Sequence, residues 1–232
     1  MAETGYLAAI RASYDAVAAD YVRLVPKPDA IDPASRSMLT AFAELVRTAG
    51  LGPVADLGCG PGRVTAHLAR LGLPAFGIDL SPKMIMMARQ AHPELRYAVG
   101  SMTALGLGRG TLGGILAWYS TYHTPPEQLP ELFAEFHRTL APGGHLLLGT
   151  YTGDDEHLRP ALAFGSHRVF YHSYLLPPED LATLLAGAGL TVTAQLESLP
   201  SPAAQPRRAA GLPAGPQAGR AGLAQRVGGP PG

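Results

Sequence analysis

Cysteine, lysine and tryptophan are scarce in this sequence, and neither sign of charge is in excess. The single cysteine, Cys59, excludes an intramolecular disulfide and fits a reducing, cytoplasmic compartment. Eighteen basic residues balance eighteen acidic ones, so no electrostatic footprint for nucleic acid or another polyanion is present. No apolar run is long enough to cross a bilayer, and no cationic segment followed by an apolar one opens the chain, so no membrane partner is expected. Lysine is confined to Lys27 and Lys83 while Ala, Gly, Pro and Arg abound, a bias that reflects GC-rich coding more than function. A chain of 232 residues suits one α/β domain with a sizeable core.

What is present centres on the stretch from Val54 to Arg63. Val54–Leu57 is a short apolar run that predicts a buried strand. Gly58, Gly60 and Gly62 follow, giving a loop whose backbone can take positive φ and approach a ligand closely. Val64, Leu68 and Leu71 then recur at helical spacing, so the loop opens a helix. Strand, glycine turn and helix N-terminus together form a nucleotide-type site, because free N–H groups and the positive end of the dipole point into the loop. The dinucleotide fingerprint spaces its glycines G-x-G-x-x-G. Here the spacing is G-x-G-x-G, and Asp56 stands two residues ahead of the first glycine. A carboxylate there repels pyrophosphate but suits a ligand carrying an ammonium group.

Leu73–Asp79 reads as a second strand ending in an acid about twenty residues past the glycines, where it can accept from both hydroxyls of a ribose. Ser81 and Pro82 are the cap and first residue of the next helix, which frees Asp79 from that duty. The constellation Asp56-Leu-Gly58-Cys-Gly60-Pro-Gly62, followed by Asp79-x-Ser-x-x-Met84 and by the turn in Leu140-Ala-Pro-Gly-Gly-His145, resembles the class I S-adenosylmethionine-dependent methyltransferases. The resemblance spans roughly residues 6 to 196. It implies a Rossmann-like, doubly wound, mostly parallel sheet with helices on both faces, and S-adenosylmethionine as the cofactor. It implies cofactor contacts from Asp56, Gly58, Cys59, Gly60, Gly62 and Arg63 in the loop, and from Asp79 and Leu80 after the second strand. Met84 and Met102 would meet the adenine. Ser101 stands where the family usually has an acid accepting from the adenine amino group.

Two further segments bear on the acceptor. Arg11, Tyr14, Ala18 and Tyr21 share one face of an N-terminal helix, either as anchors against the domain or as a lid with a tyrosine hydroxyl near the sulfonium. Trp118 and Tyr119 end a buried strand, Leu112–Trp118, above the cleft, and His123 follows. A histidine there can take a proton from a substrate hydroxyl or amine, or simply orient the loop. We take Tyr14 and His123 as the candidate catalytic residues, and Trp118 and Tyr21 with the cofactor set; no metal site is expected. Thr124-Pro-Pro-Glu127 reads as a capping box for the following helix, and Arg168–Tyr174 as an inserted strand over the substrate pocket.

Residues 1–50 are thus expected to form a helical lid within the same domain, and 51–197 the cofactor-binding core. From Ser198 to Gly232 the chain has no aromatic residue, no acid and no apolar alternation. That composition predicts a disordered tail. It leaves open whether the sheet gains the seventh, antiparallel strand of the family it resembles. The expected activity is methyl transfer to an O, N or C nucleophile of a small molecule by a monomer or homodimer. The rival readings are an inactive S-adenosylmethionine-binding protein and, less favoured, an NAD(P)-dependent oxidoreductase.

Overall fold

The computed structural model describes residues 5–25, 32–198 and 218–226, the last segment as backbone alone. Two helices lead in: α1 (Gly5–Leu24) and α2 (Pro33–Ala49). Asp32 caps α2 by accepting from the Ser35 N–H, and Gly50 ends it in the left-handed conformation that glycine adopts without strain. There follow β1 (Val54–Leu57), α3 (Arg63–Arg70), β2 (Ala75–Asp79), α4 (Pro82–Ala91), β3 (Arg96–Val99) and β4 (Leu112–Trp118). Next come α5 (Leu129–Thr139) and β5 (Leu140–Thr152), then the short strands β6 (Glu156–Leu158), β7 (Leu162–Ala163), β8 (His167–Arg168) and β9 (Ser173–Leu175). The last elements are α6 (Pro178–Gly187), β10 (Leu190–Ser198) and β11 (Ala218–Arg226).

The central sheet runs β3-β2-β1-β4-β5-β11-β10. The first five strands are mutually parallel. Alternation along the strands divides the core into two layers. Val54, Leu116 and Leu147 pack against Leu39, Phe42 and Val46 of α2 and Leu68 of α3. Ala55, Leu57, Ile115, Leu146 and Leu148 pack on the other face against Leu129, Phe133 and Phe136 of α5 and Leu185 of α6. Helices therefore cover both faces, as the doubly wound reading expects.

The C-terminal segment corrects the sequence reading. Residues 218–226 form the seventh strand, antiparallel to β5 on one side and to β10 on the other. Its Ala/Gly/Arg composition has little intrinsic strand preference. The two open edges of β5 and β10 nonetheless offer partners for its backbone on both sides, and this pairing wins over propensity. The remainder of the expected tail, 199–217 and 227–232, lies outside the described residues. A second correction concerns Thr124: its side chain caps no helix. The chain instead passes through two 3₁₀ turns, Thr121–His123 and Pro126–Gln128, before α5 begins. Pro126 disfavours the helical region for the residue before it, and Pro125 takes ψ 140°, so no helix starts directly after Thr124.

Candidate active site

The cavity lies at the carboxyl ends of β1, β2 and β4, roofed by α1. Gly58 and Gly60, at φ 73° and 53°, form its floor. A Cβ on Gly58 would lie 2.4 Å from Ser120 Cβ, so only glycine lets the loop pass beneath the β4 terminus. On Gly60 a Cβ would meet nothing nearer than a Tyr21 ring carbon at 3.9 Å. That bare backbone faces the ligand space.

Asp79 is the central polar group. Its Oδ2 accepts from the Gly60 N–H and its Oδ1 from the Ser81 N–H, each at 2.8 Å. A carboxylate has about four acceptor positions, so two remain for a vicinal diol. Burial raises its pKa to about 6 against the stabilising pull of those two N–H groups. Ser81 does cap α4, accepting from the Met84 N–H at 3.1 Å, as the sequence implied. Leu80, Met84 and Met102 line an adjoining apolar part of the cavity. Ser101 lines it too, but its hydroxyl accepts from the Thr103 N–H and pairs with the Thr103 hydroxyl at 2.8 Å. Ser101 thus closes a local turn at the place where an adenine amino group would be read.

Four loop residues expected at the ligand lie behind it. Asp56 is 1% exposed; its Oδ2 accepts from the Thr65 hydroxyl at 2.6 Å, anchoring the first turn of α3. Burial raises the Asp56 pKa to about 7. Cys59 packs over Gly77 against Tyr97, Ile85 and Ala88, and burial pushes its thiol pKa well up. A Cβ on Gly62 would lie 2.5 Å from the Tyr97 hydroxyl oxygen, so this glycine, at φ 77°, makes room for a core tyrosine. Arg63 donates to the Val22 and Val25 carbonyls and so ties the end of α1 to the glycine loop. These four shape the loop; none of them lines the cavity.

Tyr14, Tyr21, Trp118, Tyr119 and His123 also line the cavity. His123 is 4% exposed. Its Nδ1 lies 2.7 Å from the His172 carbonyl oxygen, which can only accept, so Nδ1 carries the hydrogen. Nε2 of the neutral ring is then an acceptor, and the Tyr14 hydroxyl, 2.8 Å away, donates to it. Burial lowers the His123 pKa to about 4, which keeps this arrangement at neutral pH. Burial also raises the Tyr14 pKa well above its ordinary value, with the neighbouring tyrosines adding to the effect. Tyr171, from the inserted segment, stacks on Tyr14 at 5.6 Å between ring centroids, so that segment backs the Tyr14 wall of the cavity. Trp118 is seated over Gly149 of β5, where a Cβ would lie 2.6 Å from the indole. Tyr119 takes φ 51°, an unusual value for a residue with a side chain, at the turn out of β4.

Sequence reasoning missed Leu7, Ile10, Ser120 and Thr124, all of which line the cavity. Leu7 and Ile10 fall on the helical face of Tyr14 and Tyr21, and that spacing was the available signal. Nothing local marks Ser120 or Thr124.

Strand order and site together define a class. An antiparallel seventh strand lies between the fifth and sixth, and the G-x-G-x-G loop and the acid ending β2 meet at the cavity, the arrangement expected from the resemblance to class I methyltransferases. Comparison with known proteins agrees. Residues 54–144 match the Methyltransferase domain family. An uncharacterised methyltransferase of Synechocystis sp. is 32% identical over 141 residues, 60% of this chain and 66% of that protein. A malonyl-[acyl-carrier protein] O-methyltransferase of Erwinia billingiae is 30% identical over 45% of this chain and 41% of its own. The chain thus spans less than two thirds of the length of these relatives. Among solved structures, the Burkholderia thailandensis 1,6-didemethyltoxoflavin-N1-methyltransferase, bound to that compound and S-adenosylhomocysteine, has TM-score 0.67 at 23% identity. It covers 98% of this chain and 92% of its own. The magnesium protoporphyrin IX methyltransferase of Synechocystis gives 0.66 at 17% identity, covering 98% and 100%. Residues 54–144 thus form a methyltransferase domain, and the chain is similar to S-adenosylmethionine-dependent methyltransferases in sequence and in fold.

Proposed function

We propose that this protein transfers a methyl group from S-adenosylmethionine to an O, N or C nucleophile of a small molecule. The observation that carries this reading is Asp79, held by the Gly60 and Ser81 N–H groups with acceptor capacity left for a ribose diol. The residues present fit the cofactor. Gly58 and Gly60 would admit its amino-acid portion against bare backbone, Asp79 would bind its ribose, and Leu80, Met84 and Met102 would pack on its adenine. Bound there, the cofactor supplies an electrophilic methyl group on a sulfonium sulfur.

The chain's own residues supply alignment and exclusion of water. Tyr21 and the rest of the inner face of α1 close the cavity from above, and Trp118 and Tyr119 wall the acceptor end. His123 holds Tyr14 in one orientation rather than acting as a free base, because its Nε2 lone pair is engaged by the Tyr14 hydrogen. Tyr14 in turn presents an oxygen to the acceptor. Among the described residues no helix is long and apolar enough to cross a membrane.

Calorimetric titration with S-adenosylmethionine, S-adenosylhomocysteine and NAD tests the reading. Micromolar binding of the first two, lost in Asp79→Ala, supports it. A folded sample that binds neither removes it, and binding of NAD alone would reassign the loop to dinucleotide chemistry.

A further inference from the structure

The acceptor end of the cavity carries hydrogen-bonding information in an unusual form, because one backbone carbonyl fixes the direction of a whole chain of hydrogen bonds. The His172 carbonyl compels His123 Nδ1 to donate, so Nε2 accepts, and the one hydrogen of Tyr14 goes to it. Tyr14 Oη is left with acceptor capacity only, and Tyr14 is one of the residues that line the cavity.

The electrostatics of the lining point the same way. Among the described residues, Asp79 is the only ionisable carboxylate in the wall, and no lysine or arginine is part of it. Two guanidinium groups are engaged by backbone carbonyls: Arg11 Nε donates to the Leu80 carbonyl at 3.2 Å, and Arg63 to the Val22 and Val25 carbonyls. An acceptor bearing a carboxylate or phosphate would find no cationic side chain in this lining to offset its desolvation, which is unfavourable. Trp118, Tyr119, Tyr14 and Ile10 offer flat apolar walls that suit a ring.

Resting on the methyltransferase reading above, we infer that the methyl acceptor is an uncharged aromatic or heteroaromatic molecule whose O–H or N–H group donates to Tyr14 Oη. Tyr14 is the group that selects the donor. His123 is a positioning residue that denies Tyr14 the option of donating. Acids, phosphates and acceptors lacking a polar hydrogen are selected against.

The test uses the full chain saturated with S-adenosylhomocysteine, with saturation verified for each variant. Ligand-observed NMR then compares catechol and phenol with anisole, benzoate and phenyl phosphate. The expected result is that the two hydroxyarenes bind at least tenfold more tightly than the other three. In Tyr14→Phe the phenol-to-anisole ratio is expected to fall to about one; being a ratio within one variant, it is insensitive to a general loss of affinity. His123→Leu frees the Tyr14 hydrogen, so acetophenone, which can only accept, should gain relative to phenol. The inference is overturned if benzoate or phenyl phosphate binds as well as phenol. It is overturned equally if neither hydroxyarene binds the saturated protein, or if the hydroxyl preference survives Tyr14→Phe. Failure of S-adenosylhomocysteine itself to bind would remove the underlying cofactor reading, and this inference with it.

Discussion

At the scale of single residues, Asp79 decides whether the cavity is a cofactor site, and its titration gives a direct check. Its pKa, about 6, lies above the ordinary aspartate value of about 3.9 because burial disfavours the charged form. Only the ionised carboxylate keeps two acceptor positions free after serving Gly60 and Ser81; protonation turns one oxygen into a donor. Affinity for S-adenosylhomocysteine is therefore expected to be flat above about pH 7 and to fall toward tenfold per unit below about pH 6. His123 stays neutral across that window, since burial lowers its pKa to about 4. Asp56, which titrates near 7, sits behind the loop, so Asp56→Asn should retain the slope while Asp79→Asn loses both slope and affinity. Calorimetry at pH 5, 6 and 8 reads this, and a slope that persists in Asp79→Asn would assign it to another group. The same residue-scale logic separates the loop positions. Asp79, Gly58 and Gly60, which line the cavity, were legible because strand end and positive φ are local properties. Cys59, Gly62 and Arg63 sit in the same motif yet face Gly77, Tyr97 and α1, and only the fold reveals that.

Among the elements, α1 is the one on which access depends. It closes the cavity with Leu7, Ile10, Tyr14 and Tyr21, and a set of polar ties holds it down. Asp15 accepts from the Ser81 hydroxyl and the Lys83 N–H at the start of α4. Asp20 pairs with His167 of β8 at 2.5 Å, and the Ser13 hydroxyl accepts from the Phe170 N–H at 2.8 Å. Arg63 clamps the C-terminal turn through two carbonyls that the end of a helix would otherwise leave without donors. Arg63→Gln is expected to leave the core intact and loosen the roof. Backbone amides of α1 should exchange faster with solvent, and S-adenosylhomocysteine should dissociate about tenfold faster. Hydrogen exchange by mass spectrometry with stopped-flow release measures both. If α1 exchange is unchanged, the clamp does not hold the roof. The pairing of α1 with the inserted segment was only partly readable in the sequence. Helical spacing put Tyr14 and Tyr21 on one face, but the contact of Tyr14 with His123 spans 109 positions and follows from topology alone.

For the molecule as a whole, the sheet is complete only through a segment whose composition argues against a strand. The parallel half was legible: Val54–Leu57, Leu112–Trp118 and the run after Pro142 are apolar, of strand length, and bounded by glycine or proline. Strand β11 was not, because the determinants of its structure lie in its neighbours. Its backbone is paired with β5 from Ala218 to Gln225 and with β10 from Gly219 to Arg226. Removing residues 199–232 therefore leaves β5 and β10 with facing, unpaired edges in the middle of a sheet. If the net loss equals about three backbone hydrogen bonds at about 1 kcal/mol each, the cost is about 3 kcal/mol. For a chain of this size that lowers Tm by roughly 6–12 °C. The truncated chain should also aggregate on warming through its exposed edges, whereas the cavity, built from β1, β2 and β4, lies on the far side of β5 and should retain cofactor affinity in the cold. Differential scanning calorimetry with light scattering separates these effects. A truncated protein with unchanged Tm and unchanged sheet content by circular dichroism would mean that β11 adds nothing to the stability of the fold. A loss of S-adenosylhomocysteine binding at low temperature would mean that the seventh strand supports the site as well as the sheet.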